Sequence, residues 1–375
     1  MTKKKILLLG DICPTEDTVS YFNNGDSDNL LGELKSVIVS SDIVVGNLEY
    51  PIVSKSKAIE KCGPTLSGTI ESLHCLKKCG FDILSLANNH IGDYGSEGVV
   101  ETLDSCNLLG IPSFGAGKNI EDAANYHVQN VQGKKIGFVS FAEHEFNAAT
   151  RNDAGANIFD PYTSFDFIRE VKEKTDYLIV LYHGGVEYYR YPSPELMKKC
   201  RKFIESGADL VSCQHSHCVG AEEDYLDGKI VYGQGNSIYG YRKNHSMWNE
   251  GLAISIEVSN EGIELSYIAF NWTSSGIRLE TDRTVILDKF MERSHEIQNK
   301  DFVTEKWLDF CSTSSAHYLP MYLGLSVNTN RLNRVLKNGI IDTLYTKRQK
   351  MVSNNIIRCN SHYEVIRTIL QSEED

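Results

Sequence analysis

Short apolar runs alternate with stretches of helical periodicity through the first two-thirds of this chain. The runs that have the length of β-strands lie at residues 6–9, 43–45, 83–86, 136–141, 178–181 and 210–213. The helix candidates between them lie near residues 29–39, 68–79, 96–108, 164–174 and 193–206. Because strands that alternate with helices typically form parallel sheets covered by helices, the pattern predicts an α/β fold.

Two segments have the pattern of antiparallel strands instead. A Gln132-Gly133-Lys134 turn divides the alternating residues 128–139, and residues 259–262 form a turn between the runs 253–258 and 263–270. Short turns that contain glycine or asparagine commonly connect adjacent antiparallel strands. The sheet is therefore expected to be mixed rather than purely parallel.

The pattern changes near residue 275. Charged helical segments at residues 285–299, 303–311 and 354–370 replace the alternation of strands and helices. We therefore expect a core domain over residues 1–274 and a helical extension over residues 275–375. The helices of this extension are a candidate surface for homo-oligomer formation.

Polar residues follow five of the apolar runs. The runs end in Gly10-Asp11, Gly46-Asn47-Leu48-Glu49, Asn88-Asn89-His90, His183-Gly184-Gly185 and Gln214-His215-Ser216-His217. Because ligands of open α/β sheets bind outside the carboxyl ends of the strands, these five ends are expected to converge. Carboxylate, amide and imidazole groups together suit divalent ions such as Mn, Fe, Zn or Mg. The sequence therefore predicts a pair of divalent metal ions, which would activate water and polarise a phosphoryl oxygen.

Some of these residues also have ordinary structural interpretations. His183 by itself is as typical of a hydrogen-bonded core histidine as of a ligand, and Asn88-Asn89 is typical of a turn. The His215-x-His217 step is expected to put both imidazoles on one side of a strand end, because side chains repeat every two residues in a strand. The combination of these residues at neighbouring strand ends favours metal ligation.

Motifs spread over about residues 5–240 resemble a known family. They are GDICP at 10–14, GNLEYPI at 46–52, SLANNHIGDYGSEGVVETLD at 85–104, GAG at 115–117, YHGGVEYY at 182–189, ESGADLVSCQHSH at 205–217 and YGQGNSIY at 232–239. Together they resemble the poly-γ-glutamate capsule-synthesis (CapA-like) family of the calcineurin-like metallophosphoesterase superfamily. The resemblance implies a metallophosphoesterase-like layered fold, in which helices flank mixed β-sheets.

The resemblance also implies a role for individual residues. The implied metal ligands are Asp11, Glu49, Asn89, His183, His215 and His217. His90 would be the acid that faces the leaving group. Glu187 and Tyr188 are expected to bind substrate, the alternative being a solvated loop, and Asn236 shapes either a phosphate-binding turn or a purely structural one.

Three positions depart from the superfamily pattern. Cys13 replaces the histidine of the opening Asp-x-His motif, so it either ligates a soft metal or is an inert buried thiol. The bridging position carries Glu49 where the superfamily has aspartate, as CapA-like proteins usually do. The late Gly-His-Pro-His step reads Gln214-His215-Ser216-His217, which keeps both imidazoles and changes the turn.

The composition of the chain indicates which binding partners and which cellular location to expect. The formal net charge of −12, from 38 basic and 50 acidic residues, disfavours binding to nucleic acid. The apolar run at residues 6–9 is shorter than the roughly 7–15 residues of a secretory signal, and no stretch approaches the roughly 18 of a membrane span. Ten cysteines without a CxxC pair are typical of a reducing compartment. We expect a cytoplasmic protein that binds neither nucleic acid nor a membrane by a spanning helix.

Three functions are compatible with these features. The favoured one is a dinuclear metal-dependent hydrolase of the phosphoesterase type, which acts on a small phosphorylated, anionic or glycan-related substrate in capsule or polysaccharide metabolism. The second is a hydrolase or transferase of γ-glutamyl or glycan amides. The third is a non-catalytic metal-binding component of a polysaccharide assembly complex, although a purely structural site would not require His90.

Overall fold

The computed structural model describes residues 3–280, 285–324, 327–336 and 339–371. The strands are β1 (Lys4–Ile12), β2 (Ile43–Leu48), β3 (Ile83–Ser85), β4 (Ser113–Phe114), β5 (Ala116–Gly117), β6 (Tyr126–Val131), β7 (Lys134–Ala142), β8 (Gly155–Ala156), β9 (Tyr177–His183), β10 (Leu210–Gln214), β11 (Glu222–Tyr225), β12 (Gly228–Val231), β13 (Asn236–Ile238), β14 (Glu250–Val258), β15 (Ile263–Thr273) and β16 (Gly276–Leu279). The helices are α1 (Val19–Asn24), α2 (Ser27–Leu31), α3 (Leu34–Val39), α4 (Ile70–Cys79), α5 (Gly95–Leu109), α6 (Ile120–Ala123), α7 (Ser164–Lys172), α8 (Pro194–Glu205), α9 (Ser246–Asn249), α10 (Val285–Glu296), α11 (Lys300–Tyr322), α12 (Val327–Val335), α13 (Gly339–Leu344), α14 (Lys347–Arg358) and α15 (Asn360–Gln371).

The strands form two large mixed sheets and one small one. The first sheet has the order β16-β15-β14-β1-β2-β3-β4, and β13 also pairs with β1. Its strands β1 to β4 are parallel, whereas β14 to β16 are antiparallel to their neighbours. The second sheet has the order β11-β12-β10-β9-β7-β6, with a parallel centre and antiparallel edge strands, and β5 pairs only with β8. The predicted mixed sheets are confirmed, but the five ligand-bearing strand ends belong to two sheets.

The hydrophobic core has three layers, because each large sheet buries both of its faces. Ile6 and Leu8 of β1 point into the layer between the two sheets, together with residues of β7, β9, β10 and β14. Leu7 and Leu9 point the other way, into the layer covered by α1 to α5. A third cluster lies between the second sheet and helices α7 and α8. Helices therefore flank a pair of stacked sheets, which confirms the layered α/β fold.

Local chemistry explains where the predicted helices begin and end. The side chain of Ser193 accepts a hydrogen bond from the backbone of Leu196 at the start of α8, and Pro194 occupies the first turn. Helix α5 ends at Gly110, whose φ of 61° is left-handed. The helix expected over residues 29–39 is wrong in one respect, because Gly32 divides it into α2 and α3. Gly32 has a non-helical backbone with φ of 51° and ψ of −131°. A β-carbon there would lie 2.5 Å from the carbonyl oxygen of Ile277, so only glycine fits at this break.

The chain divides into two compact units, Met1–Thr304 and Glu305–Asp375. The first unit extends past the expected boundary at residue 274. Strand β16 pairs with β15, and α10 buries Ile286 and Phe290 in the layer between the sheets. Arg293 of α10 is also buried, and its guanidinium donates to the carbonyl oxygens of Val219 and Gly220.

The second unit is helical, as expected for the end of the chain. Within it, the Tyr345 hydroxyl donates to the carbonyl oxygen of Leu323, and Thr346 caps α14 in a capping box with Gln349. Across the residues that the structure describes, no helix combines the length and the apolar character that crossing a membrane requires.

Candidate metal centre

The carboxyl ends of five strands meet at one place in the first unit. Asp11 lies near the end of β1, and Glu49 directly follows β2. Asn89 and His90 lie in the loop that follows β3. From the second sheet, His183 is the last residue of β9, and His215 and His217 follow β10. All of these side chains except that of His215 are buried.

Two groups of side chains within this cluster have the spacing of metal ligands. One is formed by Glu49, His183 and His215, and the other by Asp11, Glu49 and His217. Within each group, one ligand atom from every residue lies within 4.8 Å of the others. Glu49 belongs to both groups, so its carboxylate is the part that the two groups share.

Asparagine side chains tie the two groups together. Asn47 Nδ2 donates to Asp11 Oδ1 at 2.8 Å and lies 3.1 Å from His183 Nδ1. The other ring nitrogen of His183 lies 2.9 Å from Asn89 Oδ1 and 3.4 Å from Glu49 Oε1. Asn88 Nδ2 in turn donates to Asn47 Oδ1 at 3.2 Å. Asn89 therefore lies beside the first group, in contact with His183. Asn47 belongs to neither group and orients Asp11 and His183 through its side-chain amide.

Three polar atoms of the cluster show that the residues fit bound cations. Both carboxylate oxygens of Glu49 and Nδ1 of His215 are buried without a hydrogen-bond partner among the described residues. Buried polar atoms are almost always paired, because an unpaired one costs roughly 1–3 kcal/mol. These atoms are oxygen and nitrogen donors of the type that divalent metal ions take.

The protonation states of the buried residues also suit cations. Burial raises the pKa of Asp11 to about 6 and that of Glu49 to about 8. Burial lowers the pKa of His183 to about 3, and it lowers the pKa of His217 well below the ordinary value. His183 and His217 are therefore neutral at physiological pH, which is the form that ligates metal, and the buried carboxylates of Asp11 and Glu49 need a nearby positive charge.

The backbone of the His-x-His step differs from the prediction. His215 and His217 lie after β10, and both have left-handed backbone conformations with φ of 83° and 51°. Strand alternation therefore does not set the direction of these two side chains, although both imidazoles reach the Glu49 carboxylate. The two rings lie 6.1 Å apart and belong to different ligand groups, so the irregular turn distributes one imidazole to each. Left-handed backbone in two non-glycine residues costs free energy and is typical of functional sites.

His90 is held by a buried carboxylate. Its Nδ1 lies 2.7 Å from Asp93 Oδ2, and Asp93 also forms an ion pair with Lys61. The side chains of Lys61 and Asp93 are 3% and 0% exposed, so the pair is in the interior. The backbone N–H of Leu66 donates to the same carboxylate at 2.6 Å. Asp93 thus fixes both the imidazole of His90 and the loop that carries Lys61.

A cavity of about 320 Å³ opens beside the cluster. Asn89, His90 and His217 line it, together with Glu187 and Tyr188. The Tyr188 ring packs 6.1 Å from that of His217, and the Tyr188 N–H donates to Ser216 O at 2.8 Å. The predicted pair Glu187 and Tyr188 is therefore placed in the wall of this cavity.

Asn236 lies behind His217 rather than in the cavity wall. It is fully buried in β13, its Oδ1 lies 2.8 Å from His217 Nδ1, and its Nδ2 donates to Trp248 O at 3.0 Å. Both ends of its amide are bonded within the protein, so the geometry gives it a positioning role. Cys13 belongs to neither ligand group, and burial raises the pKa of its thiol well above the ordinary value.

Several residues of the site were missed by the sequence analysis. Asn47 sits inside the GNLE motif and Asp93 three residues after His90, so both were visible in quoted motifs. Glu145 accepts a hydrogen bond from Asn89 at 2.9 Å, whereas its neighbour His144 is exposed. Lys61 and Arg242 lie in loops without a periodic pattern, and no local signal marks them.

The stacked mixed sheets, with carboxylates, amides and imidazoles gathered at their carboxyl ends, define a layered α/β protein with a candidate metal centre. The family model described as "Bacterial capsule synthesis protein PGA_cap" matches residues 5–241. The chain belongs to this family, which confirms the resemblance that its motifs indicate.

Curated relatives agree with this assignment. The chain is 29% identical over 247 residues to the capsule biosynthesis protein CapA of Bacillus anthracis, a match that covers 63% of this chain and 60% of the relative. It is 29% identical over 236 residues to the PGA biosynthesis protein CapA of Bacillus subtilis (strain 168), which covers 62% of each chain. The chain thus spans about three-fifths of the length of the curated relatives it matches.

Among solved structures, a 5'-nucleotidase precursor from Thermus thermophilus aligns with a TM-score of 0.43 and 13% identity. That alignment covers 84% of this chain and 59% of the nucleotidase chain.

Proposed function

We propose that this protein is a dinuclear metal-dependent hydrolase of the phosphoesterase type, with a phosphorylated or anionic substrate related to capsule or polysaccharide metabolism. The observation that carries the proposal is the buried Glu49 carboxylate, which is shared by two ligand groups and has no hydrogen-bond partner among the described residues. Two divalent ions held there by Asp11, Glu49, Asn89 and the three late histidines would supply an activated water and neutralise charge on a phosphoryl group.

The chain itself supplies the proton. His90 lines the cavity and is oriented by Asp93 through Nδ1, so Nε2 is the ring nitrogen that remains for the leaving oxygen of a substrate. Glu187 and Tyr188 bound the space into which the substrate fits.

Leaving-group dependence tests this assignment of His90. Hydrolysis of phenyl phosphate and of 4-nitrophenyl phosphate is measured with Mn²⁺-loaded wild-type protein and with the His90→Asn variant. An acid matters more for the poorer leaving group, so kcat for phenyl phosphate is expected to fall about 10²–10⁴-fold and kcat for the nitrophenyl ester much less. His74→Asn, at an exposed position on α4, is the matched control and retains both rates. Equal losses on both esters would contradict a role as the acid.

A second candidate is hydrolysis or transfer of γ-glutamyl amides. Two further relatives favour it, since both are described as probable polyglutamine synthesis accessory proteins of Mycobacterium tuberculosis. The same preparation is assayed with γ-glutamyl-4-nitroanilide and with the phosphate esters. Turnover of the anilide alone would replace the phosphoesterase proposal with this one. Metal binding without turnover of either class would instead favour the non-catalytic role.

We also propose a cytoplasmic location, supported by the cysteines. All ten are free, and seven of them are buried inside the first unit, at positions 13, 75, 79, 106, 200, 213 and 218. Free thiols in this number are typical of a reducing compartment. Localisation of a tagged full-length chain by cell fractionation tests this.

Self-association through the second unit is a further part of the proposal. Large apolar side chains are exposed on its helices, among them Leu332, Val335, Leu344, Val352 and Ile357. Exposed apolar surface of this kind often marks an interface between proteins. Sedimentation of the full chain at several concentrations measures the association, and a monomer at every concentration would contradict it.

A further inference from the structure

An arginine without a carboxylate partner among the described residues lines the same cavity as the candidate metal centre. Arg242 shares this wall with Asn89, His90 and His217. Its guanidinium carbon lies 3.2 Å from the centre of the Trp248 ring. At this distance the cation is stacked on the indole face, which fixes its plane without using the N–H donors along its edge.

The loop around Arg242 is built to hold this residue in place. The backbone N–H of Arg242 donates to Asn249 Oδ1 at 2.9 Å, and Asn249 Nδ2 donates back to the Arg242 carbonyl oxygen at 2.8 Å. The Trp248 indole N–H donates to Gly240 O at 3.1 Å. Trp248 and Asn249 are both buried. The stacking platform and the backbone of Arg242 are therefore fixed by the interior of the first unit.

The charges of the cavity wall leave Arg242 available to an anion. The other basic residue of this wall is Lys61, and its charge is already neutralised by Asp93 in the interior. Glu145 accepts a hydrogen bond from Asn89, and Glu187 is exposed. A guanidinium has five N–H donors along its edge, and its face rather than its edge contacts the Trp248 ring. Donors thus remain for an oxyanion from the cavity.

We infer that Arg242 is a specificity-determining residue that binds a second anionic group of the substrate, a carboxylate or a phosphate. The inference rests on the proposed function, which puts the first anionic group at the metal centre. Trp248 lies between the two positions, because its ring is 5.0 Å from that of His217 and carries Arg242 on its face. Carboxylate and phosphate both match the planar fork of a guanidinium.

Binding of non-hydrolysable phosphonates tests this inference independently of turnover. Mn²⁺-loaded full-length protein is titrated calorimetrically with ω-phosphonocarboxylates of increasing chain length and with alkylphosphonates of equal length that lack the carboxylate. At one or more chain lengths, the carboxylate is expected to tighten binding about ten- to hundredfold, the range of a charge-assisted hydrogen bond. α,ω-Bisphosphonates of the same lengths form a third series, and a larger gain in this series assigns the second group as a phosphate.

Three variants distinguish a specific contribution of Arg242 to anion binding from the effect of positive charge in general. Arg242→Gln is expected to abolish the gain, and Arg242→Lys to keep only part of it, because a lysine retains the charge and loses the fork. Lys243→Gln is the matched control, since Lys243 is the adjacent exposed cation outside the cavity wall, and it retains the gain. The inference is overturned if no chain length shows a gain or if the gain survives in Arg242→Gln. If the second anionic group tightens binding but no ester is hydrolysed, the proposed function alone is refuted. If esters are hydrolysed but the second anionic group brings no gain in affinity, only the role of Arg242 is refuted.

Discussion

Glu49 is the residue on which both candidate cation positions depend. It is fully buried, belongs to both ligand groups and has two carboxylate oxygens without a hydrogen-bond partner among the described residues. A single substitution there removes a ligand from each position, which no other residue of the cluster does.

Replacement of Glu49 by glutamine therefore tests the bridging arrangement. Glu49→Gln keeps the size of the side chain and removes its negative charge, so the affinity for Mn²⁺ is expected to fall at least about 10²-fold at both positions. Metal content after dialysis measures the loss. Glu187→Gln is the control, because Glu187 lines the cavity outside both ligand groups. Loss of only one ion from Glu49→Gln would contradict a bridge.

The raised pKa values of the carboxylates predict how metal affinity depends on pH. The pKa of Glu49 is raised to about 8 and that of Asp11 to about 6, so below these values the groups carry protons that a cation must displace. Affinity is therefore expected to rise with pH, by about tenfold per pH unit for each displaced proton between pH 6 and 8. His183 and His217 do not contribute in this range, because their pKa values are lowered. Calorimetric Mn²⁺ titrations at pH 6, 7 and 8 measure the slope, and a flat profile would contradict the assignment of Glu49 as a ligand.

At the scale of elements, the loop that carries Lys61 is fastened to the site by one buried charge. The backbone N–H of Ile59 donates to the carbonyl oxygen of Asp93, and Lys61 and Leu66 both contact the Asp93 carboxylate. The loop thereby forms one wall of the cavity. Without Lys61, the buried Asp93 carboxylate would keep only its contacts with His90 and the Leu66 N–H. Without Asp93, the Lys61 ammonium would be buried without a counter-charge.

Lys61→Met is therefore expected to be strongly destabilising. Loss of one partner from a buried ion pair costs about 3–5 kcal/mol, since the remaining charge is uncompensated. Lys4→Met is the matched control, because Lys4 forms an ion pair with Asp42 in which the two side chains are 46% and 34% exposed, respectively. Loss of an exposed ion pair costs about 0–1 kcal/mol. The free energy of unfolding from urea titrations measures both changes. Equal costs for the two variants would contradict the burial of the Lys61–Asp93 pair.

Elements with continuous apolar runs were predictable from the sequence, and their arrangement was not. The core strands β1, β2, β9 and β10 bury both faces, so their sequences are nearly uniformly apolar and easy to detect. Their division between two sheets depends on pairing across long separations, such as β1 with β13 and β14. No local pattern encodes that choice.

The candidate site shows the same division. The ligand types were visible because each directly follows a strand, and strand ends converge for a topological reason. The left-handed backbone at His215 and His217 was not visible, because it arises from the turn after β10. The stacking of Arg242 on Trp248 depends on a loop that Asn249 closes, and it was equally hidden.

At the scale of the whole molecule, all residues of the candidate site lie in the first unit, Met1–Thr304. This unit includes β16 and α10, which lie beyond the boundary at residue 274 that the sequence indicated. Ile277, Ile286 and Phe290 contribute to its buried core, and Arg293 pairs with carbonyl groups just after His217.

Truncation after residue 304 or after residue 274 distinguishes the two boundaries. A chain of residues 1–304 is expected to fold and to bind Mn²⁺ with the affinity of the full chain. A chain of residues 1–274 loses a paired strand and at least three buried apolar side chains, each of which contributes about 1.5–3 kcal/mol, so it is expected to be largely unfolded. Circular dichroism and Mn²⁺ titration measure both properties. Normal metal binding by the shorter chain would contradict the role of α10.

The central claim is that two cations share the carboxylate of Glu49. Its most direct test is anomalous diffraction from crystals grown with Mn²⁺, compared between the wild-type chain and Glu49→Gln. The predicted result is two anomalous peaks about 3.5–4 Å apart in the wild type, one beside His183 and His215 and one beside Asp11 and His217, both lost in the variant. A wild-type map with no peak between these residues, or with peaks that persist without the Glu49 carboxylate, would contradict the account.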